Sequence, residues 1–130
     1  MVYDAILVTT SRWFDGAKRR NVKVFHFPPG KNPNVDKLEN GSRCLIFLKS
    51  PKMEFCGDFT VKEVRLVSGY EFERYKDLAY EVPECPFPKP SERAWIIIFD
   101  ELYAYPRPIP KDECFDIKPP GWKAPLSRVP

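Results

Sequence analysis

The stretch from Gly41 to Gly69, GSRCLIFLKSPKMEFCGDFTVKEVRLVSG, constrains the fold more than any other part of the chain. Cys44 to Leu48 is a continuous apolar run of strand length, too short for a core helix. The turn dipeptide Asn40-Gly41 precedes it, and Lys49-Ser50-Pro51 ends it, because proline cannot donate to a ladder. Past a polar loop, Phe59 and Val61 alternate with Thr60 and Lys62, and then Val64 and Leu66 alternate with Arg65. The apolar phase slips by one residue between Val61 and Val64. That slip predicts a bulge near Lys62-Glu63, since an unbulged strand would turn the apolar side of its second half to water. Bulged strands bend, and bending is how small sheets close. The expected class is α+β, mainly β: a curved sheet closing into a small pseudo-barrel with two or three short helices.

The flanking segments supply the remaining elements. Tyr3 to Val8 reads as a strand, and Thr9-Thr10-Ser11 offers side-chain caps for a helix over residues 12–20 on whose apolar stripe Trp13, Phe14 and Ala17 fall. Gly16 weakens that helix and Asn21 stops it. Val22 to Phe27 alternates, with Val22, Val24 and His26 on one face and Lys23, Phe25 and Phe27 on the other. Residues 32–40 read as a loop with a helical turn holding Val35 and Leu38. The spacing of Phe72, Tyr75, Leu78 and Ala79 predicts a helix over 68–82, bounded by Pro83. The proline-punctuated VPECPFPKP is an ordered loop packed through Phe87. Ala94 to Phe99, apolar on both faces, is a central strand. DELYAYPRPIP should leave the core as a proline-rich edge, and Trp122 and Leu126 should anchor an extended tail. With no repeat and no composition break, residues 1–130 are expected to form one domain.

A net charge of +3 says little about partners, but its distribution says more. Residues 1–50 hold nine of the 21 Lys and Arg and four of the 18 Asp and Glu, and the remaining eighty hold twelve basic against fourteen acidic. A basic amino-terminal half gathered on one face would suit phosphates, and scattered over the surface it is a solvated exterior. Four cysteines, Cys44, Cys56, Cys85 and Cys114, stand far apart without a CxxC pair, and His26 is the one histidine. That pattern favours buried thiols over a metal site, implies no cofactor, and leaves disulfide pairing open. No apolar run is long enough to span a bilayer and no signal-type start is present, so the expectation is a cytoplasmic protein without a membrane partner.

In element order the sequence resembles the PUA-like superfamily of nucleic-acid binders, in its EVE, YTH and ASCH branches. Leu38-Glu39-Asn40-Gly41 before RCLIFL is similar to the lead into a strand of EVE and ASCH domains. MEFCGDFTVKEV is similar to a strand of YTH readers, with Phe55, Cys56 and Gly57 matching in place. ILVTTSRWFDGAKRRNVKVF resembles the YTH strand-helix-strand segment, and RAWIIIFDELYAYPRPIP is similar to the late strand of these folds. The likeness covers about three quarters of the chain and is closest to a small archaeal PUA-like group. Where a YTH reader carries a cage aromatic after the Asn, this chain has Lys23, and no second tryptophan follows the FCG strand, so a methyl-adenine cage is not implied.

The resemblance implies a cleft for a base, modified or unmodified, or for a short single strand of RNA or DNA, between the end of the first strand and the loop before FCG. Thr9 and Thr10 would meet a base edge, Trp13 or Phe25 would offer a stacking face, and Lys23 would donate or contact phosphate. Lys49, Lys52 and Phe55 would close the other side, and Lys18, Arg19 and Arg20 would track the backbone. Each has a plainer reading as well: the three rings as core, the cations as solvated surface, His26 as a satisfied histidine. Two rival functions accompany this one. An ASCH-like hydrolase of modified nucleosides would use Lys23 as its amine and Glu63 or Glu101 as its carboxylate, although the Thr that should closely follow the Lys is replaced by Val24, Phe25 and His26. A protein-interaction module would use the proline-rich edge from Tyr103 to Pro110.

Overall fold

The computed structural model describes residues 4–31 and 35–111. Tyr3, Cys114, Trp122 and Leu126 lie outside them. Six strands form one sheet: β1 (Ala5–Thr9), β2 (Val24–Phe27), β3 (Arg43–Leu48), β4 (Glu54–Ser68), β5 (Arg93–Phe99) and β6 (Tyr103–Pro110). Helix α1 (Ser11–Arg20) joins β1 to β2, and α2 (Gly69–Phe72) runs into a 3-10 segment, Glu73–Leu78, after β4. The strand order is β1-β3-β4-β5-β2, with β6 also on β4. β1 runs parallel to β3 and every other pairing is antiparallel.

The long strand β4 is the organiser. Its first half lies between β3 and β6, and its second half, from Val61 on, pairs with β5. The register shifts between Val61 and Glu63, where the slipped apolar phase places the bulge. A second irregularity falls at Cys56, where both β3 and β6 change register, so the strand is bent twice along its length. Gly41, at φ +95, makes the turn before β3, and its N–H donates to the Val61 carbonyl at 2.8 Å.

The bending does not close the sheet. β1 and β2 are the two ends of the strand order, and among the described residues no ladder joins them. The expected pseudo-barrel is therefore an open curved sheet, and the reason is α1. Its buried side chains, Trp13, Phe14 and Ala17, join a cluster with Leu7 of β1 and Phe25 of β2, filling the gap a ladder would need. The apolar run of β3 is buried on both faces as read: Cys44, Ile46 and Leu48 face this main cluster, and Leu45 and Phe47 face a second one with Ile6 and Phe55, against which Tyr105 and Ile109 of β6 pack.

Residues 68–82 do not form one helix. After one α turn the chain tightens to 3-10, Phe72 and Ala79 reach the core, and Leu78 is 40% exposed. Neighbouring backbone approaches closely at both ends of this segment. The Leu78 carbonyl accepts from Lys23 N–H at 2.8 Å ahead of β2, and a side chain at Gly69 would run into the Lys89 carbonyl. β6 is the proline-rich edge that the sequence predicts.

Candidate functional site

The unpaired seam between β1 and β2 holds the candidate site. Thr10 is the N-cap of α1, its Oγ1 accepting from Trp13 N–H at 3.2 Å and its carbonyl from Phe14 N–H at 3.1 Å. The Thr9 carbonyl accepts from Lys49 N–H at 3.0 Å, which draws the β3–β4 turn up to the end of β1. Those bonds bring residues from four stretches onto one small cavity of about 110 Å³, lined by Thr9, Thr10, Trp13, Phe25, Lys49 and Glu84 among others. Thr9 is buried and Lys49 exposed. Glu84 is held by Arg12 of α1 at 3.5 Å.

Trp13 and Phe25 are core residues as well as lining. They are 2% and 8% exposed and meet edge to face, centroids 4.9 Å apart at 87°. They form an inner wall, not the open stacking face the resemblance implies. The Trp13 Nε1–H, however, is buried without a hydrogen-bond partner. An indole N–H can only donate, so what would satisfy it is an acceptor.

The other expected residues are distributed differently. Phe55 is fully buried in the second cluster, 4.9 Å from the ring of Phe47, and has no part in the cavity. Lys23 leaves the cavity because its backbone is tied on both sides, its N–H to Leu78 and its carbonyl to Phe99 N–H at 2.9 Å. It lines an open hollow with Thr60, Asp100 and Glu101, and shares another with Lys18. Glu63 is not among the residues of either hollow. Lys52 and Lys18 line a third hollow, between α1 and β6. Lys18 also pairs with Asp15 at 3.7 Å and lies over the Phe14 ring, Arg19 donates to the Asp15 carbonyl at 3.3 Å, and Arg20 lies over the Tyr80 ring. Basic residues in the last turn of α1 also complement the negative end of its dipole. The hollows beside α1 are of mixed charge, Lys18 and Lys23 with Glu101 in one and Lys18 and Lys52 with Asp15 and Glu54 in another, and Lys49 lies with Glu84 at the cavity itself.

Sequence reasoning missed Glu84 and the wall beside it, Val82 and Cys85. An isolated bridge between Val82 and Cys85 folds the proline-punctuated loop back beside the seam, and no periodicity in that loop announces it. Cys44, Cys56 and Cys85 are free thiols whose pKa burial pushes up, that of Cys85 to about 11, so none is poised as a thiolate. Among the described residues no cluster of three or more His, Cys, Asp or Glu could hold a metal, and no helix is long and apolar enough to cross a membrane.

No family model and no curated protein matches the sequence. Solved structures do match the fold. Crystal structures of the ASCH protein from Zymomonas mobilis superpose with TM-scores of 0.67 and, for a point variant, 0.68. Sequence identity is 14%, and the match covers 92% of this chain and 85% and 86% of those chains. The N-terminal domain of McrB from Staphylothermus marinus matches at a TM-score of 0.56 and 14% identity, over 88% of this chain and 80% of that one. The fold is therefore that of the ASCH protein and, more loosely, of the McrB N-terminal domain, in keeping with the expected resemblance to PUA-like domains.

Proposed function

We propose that this protein is a nucleic-acid-binding module that takes an unpaired nucleotide of single-stranded RNA at the open seam between β1 and β2. The observation that carries this reading is the cavity that Thr9, Thr10, Trp13 and Lys49 line together, with the Trp13 indole N–H buried and unpartnered. An unsatisfied buried donor costs about 1–3 kcal/mol, which an oxygen or ring nitrogen of a base would recover on binding. The Thr10 hydroxyl accepts from α1 yet keeps its own hydrogen to donate. Lys49 supplies a cation at the cavity, and Lys18 of α1 and Lys52 of the β3–β4 turn, beside Asp15 and Glu54, are the cations nearest to it for the flanking phosphates. The fold shared with ASCH and McrB N-terminal domains is consistent with such a module.

The test is fluorescence anisotropy with labelled single-stranded oligonucleotides, RNA and DNA, with and without modified bases. Affinity should fall as salt rises, duplex RNA should bind more weakly, and Lys49→Ala and Trp13→Phe should each weaken binding by about tenfold. Salt-independent binding, or a Trp13→Phe protein that binds like the parent, overturns the reading.

A second reading is favoured by one observation: Lys23, Thr60 and Glu101, an amine, a hydroxyl and a carboxylate, line the same hollow. A nucleoside hydrolase built there would turn over N4-acylated cytidine and lose that activity in Lys23→Ala without loss of folding. No turnover by the parent protein removes it.

A further inference from the structure

Glu84 lines the seam cavity from a stiff support. It is the third residue of the turn Val82-Pro83-Glu84-Cys85, closed by the Cys85 N–H donating to the Val82 carbonyl at 2.9 Å. Pro83 at the second position presets the backbone torsion that such a turn needs. Two bonds clamp the turn to β2: His26 Nε2 lies 3.1 Å from the Cys85 carbonyl oxygen, and the Cys85 thiol donates to the His26 carbonyl at 3.2 Å. The turn cannot swing away from the seam without breaking both.

The side chain is held more lightly than its backbone. Its carboxylate lies 3.5 Å from the guanidinium of Arg12, in the first turn of α1, and both side chains are half exposed. An exposed pair at that distance restrains its partners only weakly, so the carboxylate stays open to a ligand. Two cations stand beside this one acid, Arg12 paired with it and Lys49 in the lining, so the carboxylate does not turn away a phosphate-bearing strand.

The cavity, about 110 Å³, is below the roughly 300–1,000 Å³ of sites that enclose a drug-sized ligand, so it admits the edge of one base and leaves sugar and phosphate outside. A carboxylate only accepts, and its two oxygens suit two parallel N–H donors. On the pairing edge of an unpaired RNA base, guanine alone places two such donors side by side, N1–H and the 2-amino group. Adenine and cytosine set a ring-nitrogen acceptor beside their amino group, and uracil flanks its N–H with two carbonyls, so each would press a lone pair on the second oxygen. Guanine O6, next along the same edge, needs a donor, and Lys49 and the Thr10 hydroxyl are donors in the same lining.

We propose that Glu84 makes the seam selective for guanine, its carboxylate accepting N1–H and the 2-amino group of an unpaired guanine whose O6 meets Lys49 or Thr10. The proposal rests on the nucleic-acid reading of the seam and adds to it which base is taken.

The test is competition anisotropy on the full chain with single-stranded RNA pentamers, oligouridine with uridine, guanosine, adenosine, cytidine or inosine at the centre. Guanosine should bind about tenfold more tightly than uridine, adenosine or cytidine at that position. Inosine, which keeps N1–H and O6 and lacks the 2-amino group, should fall between. In each variant the quantity read is the ratio of guanosine to adenosine affinity, which is separate from the overall affinity that Lys49→Ala and Trp13→Phe report. Glu84→Gln, which replaces one acceptor oxygen with a donor, should bring that ratio to within about twofold of unity. Arg12→Ala breaks the ion pair and leaves the carboxylate in place, so there the ratio should persist. A ratio that survives Glu84→Gln, a ratio lost equally in Arg12→Ala, or a parent protein that binds all the pentamers alike or prefers another base overturns the proposal and leaves the seam reading standing. No binding of any pentamer removes the seam reading and this proposal with it.

Discussion

His26 and Asp58 are buried polar residues handled in opposite ways. Asp58 is fully engaged, one oxygen 3.1 Å from an Arg43 guanidinium nitrogen and the other accepting from the Tyr105 hydroxyl at 2.7 Å. Asp58→Ala would strip both partners. Because Arg43 is one-third exposed and can rehydrate, the expected loss is about 2 kcal/mol, below the 3–5 of a wholly buried pair, and chemical denaturation would measure it. His26 is buried neutral, with its pKa lowered from the ordinary 6.5. Between that lowered value and 6.5 the unfolded chain binds more protons than the folded one, so stability rises with pH across the window. The contribution is complete above 6.5 and is lost as pH falls through the window. The melting-temperature difference between the parent and His26→Phe should therefore shrink as pH is lowered from 7.5 to about 5; a difference independent of pH contradicts this account.

At the level of elements, β4 explains two features of the chain that look unrelated. Its bulge at Val61–Glu63 hands the strand from the β3–β6 side to β5, and its irregularity at Cys56 lets Gly57 lie against β6. A side chain on Gly57 would collide with the Tyr103 carbonyl, so the glycine of the FCG triplet is there for close approach of a neighbouring backbone. Gly57→Ala should destabilise by about 1–3 kcal/mol and raise amide exchange in β6 more than in β5. Equal acceleration in both strands would show that the contact is not local. β6 is also the edge that a protein-interaction module would use. Tyr105 is engaged with Asp58, and Tyr103 is 56% exposed.

For the molecule as a whole, the open seam places a cavity with both apolar and polar lining between β1 and β2, and the border of α1 carries Lys18 and Lys52 together with Asp15 and Glu54. If single-stranded RNA runs along that border, Lys18 and Lys52 neutralise phosphates without reading bases. Lys18→Ala and Lys52→Ala should then weaken all sequences equally and each reduce the slope of log affinity against log salt by about 1. A sequence-dependent loss would place those lysines in base recognition instead.

Local pattern determined much of this on its own. The β3–β4 pair, the bulge, the capped helix ending at Asn21, the buried apolar runs and the proline-rich edge all follow from periodicity and turn chemistry, which act over a few residues. The gathering of Thr9, Thr10, Trp13, Phe25 and Lys49 was implied by the resemblance and not by local pattern: one capped turn and the β1–β3 ladder link Thr9, Thr10, Trp13 and Lys49, and tertiary packing adds Phe25. Contacts between distant segments decided the rest. Gly16, a weakness on a helix scale, is where the Tyr80 ring packs. Lys23 turns away because Leu78 and Phe99 hold its backbone, and Phe55 is core because β6 covers it. Whether the sheet closes depended on whether the side chains of α1 fill the seam, and whether a wall of Glu84 and Cys85 stands beside it depended on how a proline-stiffened loop folds back. Periodicity tells a strand which way to face, but only packing tells it what it will meet.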